Sequence, residues 1–505
     1  MTIADYQRTP CTALASDIRS GQVTIPEIVA EAMRLIESID NAGPELASVL
    51  AVNQEAAAHA AALQEEIRAG HDRGPLHGMP VLIKDNIDTA GQLPTTAGSL
   101  ALTGQSPPAD ADLVARLRQA GAIVLGKANL SEWGNFRASR STRGWSAVRG
   151  LVRNPYRLDR SAAGSSSGSG AAVAAGIAPL AIGTETDGSI VAPAGVNGIV
   201  GLKPTVGLVS PRGIVPISCN QDTAGPMARS VREAALLLDA IAERPPRRAG
   251  GMQAAPRSYA DCCDALPLES LSVGIVETDW RGVHPAAVQA MHDAAQALAR
   301  AGVKVTENVS LPGAAELAES DYELTVMLYD CKWDMNAYLS RRQHPEIRSL
   351  DDVIRFNRAN AARELRYFGQ DLLERAAAKG TREDTEYRAA LTAARRCGRE
   401  EGIDYALVHG QLDCLLVPGF GPAWKSDLVY GDGPDLNHMA SPAQAAAVAG
   451  YPLLTVPAGS VGGLPVGVNL MGGAYSEDIL LRLGQAIESA LDARLTPAFT
   501  PPDAG

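Results

Sequence analysis

The sequence predicts an α/β protein on three observations. Apolar runs at 78–83 and 122–125 flank an amphipathic segment at 110–120, which is a strand-helix-strand rhythm. A second unit of the same kind occupies 271–276, 284–301 and 303–306. Three later apolar runs, 414–418, 453–457 and 465–470, are each bounded by Gly or Pro, the punctuation of short strands.

Ahead of the first unit, Thr24-Ile-Pro-Glu27 reads as a capping box with proline in the first turn, and Ile28, Val29, Ala32 and Ile36 continue it as a stripe at helical spacing. The chain to about residue 68 is therefore expected to be mostly helical. Residues 161–229 are rich in Gly, Ser and Ala and poor in charge, after which Val231 to Ile241 predicts an amphipathic helix. The run from Arg244 to Gly251, Arg-Pro-Pro-Arg-Arg-Ala-Gly-Gly, predicts a surface connection. The charged stretch 313–408 predicts a helical elaboration. No internal repeat is visible.

With 505 residues and 46 % hydrophobic content the chain can bury a large core, and its length allows one large domain or several. The formal charge is 45 − 57 = −12 without a Lys/Arg-rich block, so neither nucleic acid nor an anionic membrane surface is an expected partner. A small-molecule or peptide substrate is expected instead. Seven scattered cysteines without a Cys-x-x-Cys read as reduced thiols, and the first ten residues lack a secretory pattern, so the expected location is cytoplasmic. The uncharged stretch 161–184 begins in Ser, Gly and Ala and contains Pro179, which does not suit a membrane span of about 20 apolar residues. The eight histidines show no metal-ligand spacing, so no metal is expected.

Three polar side chains stand out against this background. Ser165 lies in Ala163-Gly-Ser-Ser-Ser-Gly-Ser-Gly170, which by composition alone is a flexible linker. Its continuation, Ala171-Ala-Val-Ala-Ala-Gly176, favours a helix, so the backbone N–H groups of the run would gather at a helix N-terminus and suit an anion or oxyanion. A second turn, Thr186-Asp-Gly-Ser189, delivers a serine just before the apolar segment 190–193. Gly188 there would allow close backbone approach to a substrate, and successive amides could form an oxyanion hole. Lys84 ends the apolar run 79–83. It is either a lysine snorkelling at a strand end or a base, and a base must be neutral, which means bringing it down from about 10.4 to near 7. Burial beside strands acts in that direction, and Asp85, if close, would oppose it.

These segments resemble the amidase-signature family of serine hydrolases, and within it the bacterial peptide amidases. The resemblance rests on Met79-Pro-Val-Leu-Ile-Lys-Asp-Asn-Ile87, Gly164-Ser-Ser-Ser-Gly-Ser-Gly170, Gly183-Thr-Glu-Thr-Asp-Gly-Ser-Ile-Val-Ala-Pro-Ala194, Gly198-Ile-Val-Gly-Leu-Lys-Pro-Thr-Val-Gly-Leu-Val-Ser210 and Asp222-Thr-Ala-Gly-Pro-Met-Ala-Arg-Ser-Val231, with similarity again at Asn129-Leu-Ser-Glu-Trp133 and 448–452. The resemblance implies one large mixed β-sheet flanked by helices on both sides. It implies Ser189 as the acyl-accepting nucleophile, Ser165 as a middle serine preceded by a cis peptide, and Lys84 as the base. The backbone amides of Thr186, Asp187, Gly188 and Ser189 would then form the oxyanion hole. The separation 189 − 165 = 24 agrees with the family, whereas its usual Gly-Gly-Ser-Ser-Gly-Gly stands here as Ala163-Gly-Ser-Ser-Ser-Gly168.

The organisation expected on this basis is an N-terminal helical segment (1–68), a catalytic core (69–243), a linker with a largely helical insertion (244–408) and a C-terminal part of the core sheet (409–505). The expected activity is hydrolysis of a carboxamide, favoured as the C-terminal amide of a peptide, without a cofactor and by a monomer or homodimer. Two alternatives share the motifs: the glutamine-hydrolysing subunit of an amidotransferase, and an amidase for small aryl or aliphatic amides. A catalytically idle scaffold is a third reading, weakened by the presence of all three side chains.

Other signals fail on context. Gly164-Ser-Ser166-Ser-Gly168 fits Gly-x-Ser-x-Gly, yet 154–160 is no apolar strand. Gly121 to Lys127 imitates a phosphate loop but is followed by Ala128 where Ser or Thr is needed. Trp133 and Phe136 are candidates for the pocket wall, with a plain core role equally open.

Overall fold

Apolar runs without polar alternation belong to strands buried on both faces, and that is how they fold here. The computed structural model describes residues 6–243, 258–265, 267–277, 280, 282–432 and 441–502; the expected connection at 244–251 lies outside them. The strands are β1 (Val49–Val52), β2 (Pro80–Lys84), β3 (Ile123–Ala128), β4 (Trp145–Ser146), β5 (Gly150–Leu151), β6 (Leu180–Glu185), β7 (Val200–Lys203), β8 (Thr223–Ala228), β9 (Ser272–Val276), β10 (Lys304–Val309), β11 (Cys414–Pro418), β12 (Leu453–Val461) and β13 (Leu464–Met471). All but β4 and β5, which pair with each other, form one mixed sheet in the order β1-β3-β2-β6-β8-β7-β12-β13-β11-β9-β10. Every residue of β2, β3, β6, β11 and β13 is buried.

Helices cover both faces. Asp112–Gln119, Val231–Ile241, Pro285–Arg300 and Glu477–Leu491 pack as one layer, and Ser167–Ala174 with Val191–Val196 lie on the other. Among the described residues no helix is long and apolar enough to cross a membrane. The capping box at Thr24 is present, with both reciprocal bonds, and opens the helix Ile25–Leu35.

Two regions depart from the local reading. The N-terminal segment is helical at Cys11–Ser20, Ile25–Leu35 and Ala56–Arg68, but 49–52 leaves it to pair antiparallel with β3 as an edge of the sheet. Four residues carry too little periodicity to announce a strand whose partner is distant. The expected insertion 244–408 is also only partly an insertion: 272–309 supplies β9 and β10, parallel neighbours at the opposite edge, and the helical elaboration begins at 314.

The elaboration sits over the carboxyl ends of the parallel trio β3-β2-β6. Leu328, Met335, Leu350 and Leu373 form a separate apolar cluster with Ala97, Trp133, Phe136 and Val215 from the loops that follow β2, β3 and β7. A buried ion cluster fastens the two parts. Arg137, 1 % exposed, donates to Glu132 Oε1 at 2.7 Å and to the Glu364 backbone carbonyl at 2.5 Å, and its guanidinium lies 4.3 Å from the Phe368 ring centre. Arg137→Ala strands Glu132 and Glu364 in a dry interior, so the unfolding free energy is expected to drop by about 3–5 kcal/mol. Urea denaturation measures this, and a loss under about 1 kcal/mol would contradict the clamp.

Candidate functional site

Parallel strands present their carboxyl ends on one edge of a sheet, and chemistry collects there. Lys84 is the last residue of β2, and Thr184 and Glu185 close the neighbouring β6. The Lys84 side chain is fully buried. Its Nζ lies 2.8 Å from Ser165 Oγ, 2.8 Å from Thr184 Oγ1 and 3.0 Å from the Thr184 carbonyl. Asn86 Nδ2 donates to the same Thr184 hydroxyl at 2.9 Å. Burial brings Lys84 down to about 7, with Glu185 and Asp222 acting against it. Three contacts use the three donors of a protonated lysine, and a neutral amine keeps the two to Thr184 while its lone pair turns to the Ser165 hydroxyl.

Asp85 does not take part. Successive side chains of a strand point to opposite faces, and Asp85 faces Lys127 at 3.6 Å and the Thr96 hydroxyl. Lys127, the residue that imitated a phosphate-loop lysine, is buried on β3 and donates to Thr95 Oγ1 at 2.7 Å.

The Gly-Ser run is wholly buried rather than a linker, and it opens the helix Ser167–Ala174. Most of its hydroxyls are structural. Ser166 Oγ donates to the Thr184 carbonyl at 3.0 Å, Ser167 Oγ to the Ala163 carbonyl at 2.5 Å and Ser169 Oγ to the Ile182 carbonyl at 3.1 Å. The Gly168 amide is likewise committed, to the Asn129 carbonyl. Ser165, which follows a cis peptide bond, is the member of the run that meets the lysine.

Ser189 joins the same turn through its backbone: its carbonyl accepts from Ser166 N at 3.1 Å. Its hydroxyl makes no hydrogen bond among the described residues, so Lys84 and Ser165 are in direct contact while Ser189 stands by without one. The turn 186–189 depends on Gly188, whose φ of 73° suits glycine and whose neighbours are Phe420 and Ala443.

The backbone amides of Thr186, Asp187 and Ser189 donate to no group among the described residues. Glu185 Oε2 accepts from Ile190 N at 2.6 Å and Val191 N at 2.9 Å, which fixes the exit of the turn. Asp222 fixes its start: Thr186 Oγ1 donates to Asp222 Oδ1 at 2.6 Å, and Ile217 N and Ser218 N donate to Oδ2. Enclosure raises Asp222 to about 7. Glu185→Ala frees two buried amides, so turnover is expected to fall about 100-fold together with about 2–3 kcal/mol of stability, read from kcat and urea midpoints. Unchanged kcat in a folded variant would contradict this role.

Trp133 and Phe136 are 2 % and 6 % exposed and pack into the apolar cluster under the elaboration. The residue between them that approaches the serines is Gly134, with φ 67°; a Cβ there would touch Ile217 and come within 4.0 Å of Ser165 Oγ. Thr184, Glu185, Asp222 and Gly134 were not among the residues singled out from the sequence. The first three lie inside the quoted segments and Gly134 just past one, so the signal was present without the role.

The Amidase family model matches residues 28–481. The chain is 36 % identical over 476 residues to a probable amidase of Arabidopsis thaliana, covering 92 % of this chain and 87 % of that one. It is 35 % identical to a glutamyl-tRNA(Gln) amidotransferase subunit of Acidothermus cellulolyticus, covering 97 % and 96 %. The native peptide amidase from Stenotrophomonas maltophilia superposes with a TM-score of 0.89 at 45 % identity, covering 98 % of this chain and 99 % of that one.

Proposed function

Because the chain belongs to the amidase family of amide-hydrolysing enzymes, we propose that it cleaves the terminal carboxamide of peptides to a carboxylate and ammonia through Ser189, Ser165 and Lys84. The observation that carries the reading is the buried Lys84 amine, about 7 and 2.8 Å from Ser165 Oγ.

In this reading neutral Lys84 draws the proton of Ser165, which draws that of Ser189, and Ser189 Oγ attacks the amide carbon. The oxyanion forms against the amides of Thr186, Asp187, Gly188 and Ser189, in a turn held from both ends by Asp222 and Glu185. The proton passes back through Ser165 to the leaving nitrogen, ammonia departs, and water attacks the acyl-enzyme by the same relay. The substrate class is supported by the 45 % identity to the peptide amidase across nearly the whole chain. A second reading, glutamine hydrolysis within an amidotransferase, is favoured by the similarity to the glutamyl-tRNA(Gln) amidotransferase sequence.

Ammonia release from amidated peptides, free glutamine and simple aryl amides separates these. Peptide amides are expected to be turned over fastest. Turnover of glutamine alone would favour the second reading, and turnover confined to small amides would move the substrate and keep the chemistry. A lysine that must be neutral predicts a rate limb that rises with pH through about 7, since protonation below that value removes the base. A profile of kcat/KM flat from pH 6 to about 8.5 would exclude Lys84 as the base.

A further inference from the structure

A cavity of about 720 Å³ opens between core segment 206–222 and the last turns of the helix Tyr322–Arg341. Neither Lys84, Ser165, Ser189, Gly134 nor Ile217 lines it, whereas Pro216, Cys219 and Asp222 do. Ile217 approaches Gly134 and so the Ser165 side. Residues 216–222 are thus a partition with the proposed reacting groups on one side and this cavity on the other.

The walls are chiefly apolar, from Val206, Pro211, Ile214 and Tyr338 among others, and the volume suits a small molecule. Nearly every charged group around it already has a partner. Asp88 accepts from Tyr338 Oη at 2.8 Å and pairs with Arg342 at 3.4 Å, and Asp110 pairs with Arg118 at 3.0 Å. Asp334 pairs with Arg382 at 2.7 Å and Arg212 with Asp112, while Asp222 accepts three hydrogen bonds. Arg341, exposed at the end of its helix, makes no hydrogen bond or ion pair among the described residues.

We infer that this cavity is a second small-molecule site, for a compact apolar molecule bearing one carboxylate. The apolar body lies against Pro211 and Ile214, and the carboxylate meets the Arg341 guanidinium, whose planar fork matches it. A cationic ligand has no unpaired carboxylate to meet there among the described residues.

The test is calorimetric titration of the full chain with 3-phenylpropionate and with uncharged 3-phenylpropan-1-ol, and it requires no turnover. Arg341→Gln removes the charge, and Ala337→Trp plugs the mouth from an exposed position. Saturable binding of the carboxylate is expected, weakened about tenfold in Arg341→Gln and lost in Ala337→Trp, with the alcohol indifferent to Arg341. Circular dichroism and thermal midpoints matching the parent show that both variants fold. No binding to the parent overturns the site, as does an affinity equal in all three proteins, which places the ligand elsewhere, the catalytic cleft included. Loss in Ala337→Trp alone overturns the carboxylate assignment.

Discussion

Ser189→Ala is expected to lower the rate of amide hydrolysis by at least about 10⁴-fold while leaving the protein as stable as its parent. The Ser189 hydroxyl makes no hydrogen bond among the described residues and its side chain is nearly buried, so removing the oxygen breaks no contact and opens almost no space. What is lost is the only atom proposed to bond the acyl carbon. A fluorophosphonate probe is expected to label the parent at Ser189 and to leave the variant unlabelled. Activity within about tenfold of the parent would remove Ser189 from the mechanism and with it the acyl-enzyme.

Lys84→Met is expected to lower kcat by about 10⁴-fold with a thermal midpoint within a few degrees of the parent. Methionine is chosen because Lys84 is enclosed on all sides, and alanine would leave a cavity that confuses lost chemistry with lost packing. The burial that brings this amine to about 7 already disfavours its charge, so an apolar chain of similar length is tolerated in its place. The remaining cost is the donor removed from Thr184. The double variant with Ser189→Ala is expected to be no slower than Ser189→Ala alone, because groups that act in one relay do not contribute additively. A Lys84→Met enzyme that keeps more than about a tenth of parental kcat would show that another group takes the proton.

The strands and helices that position this site were legible where the pattern was long. Val231–Ile241 and Pro285–Arg300 announce themselves by helical periodicity, and β2, β3 and β11 by continuous apolar runs. The four residues of β1 do not, because an edge strand is specified by its partner, here β3 some seventy positions on. The assignment of β9 and β10 to the main sheet was missed for a similar reason. Their own β-α-β pattern was visible, but the parallel docking of β9 on β11 links residues about 140 apart.

Local sequence determined the chemical inventory: a lysine ending an apolar strand, a run of small residues ahead of a helix, and a glycine turn delivering a serine. Only the tertiary structure decided which of these groups meet. It turned Asp85 to Lys127 and away from Lys84, brought Ser165 against Lys84, and placed Thr184 beside a lysine one hundred residues earlier. The physical reason is that the state of an ionisable group depends on its whole surroundings. Lysine's own chemistry places it near 10.5, and the enclosure of Lys84 by parallel strands distant in the chain brings it to about 7.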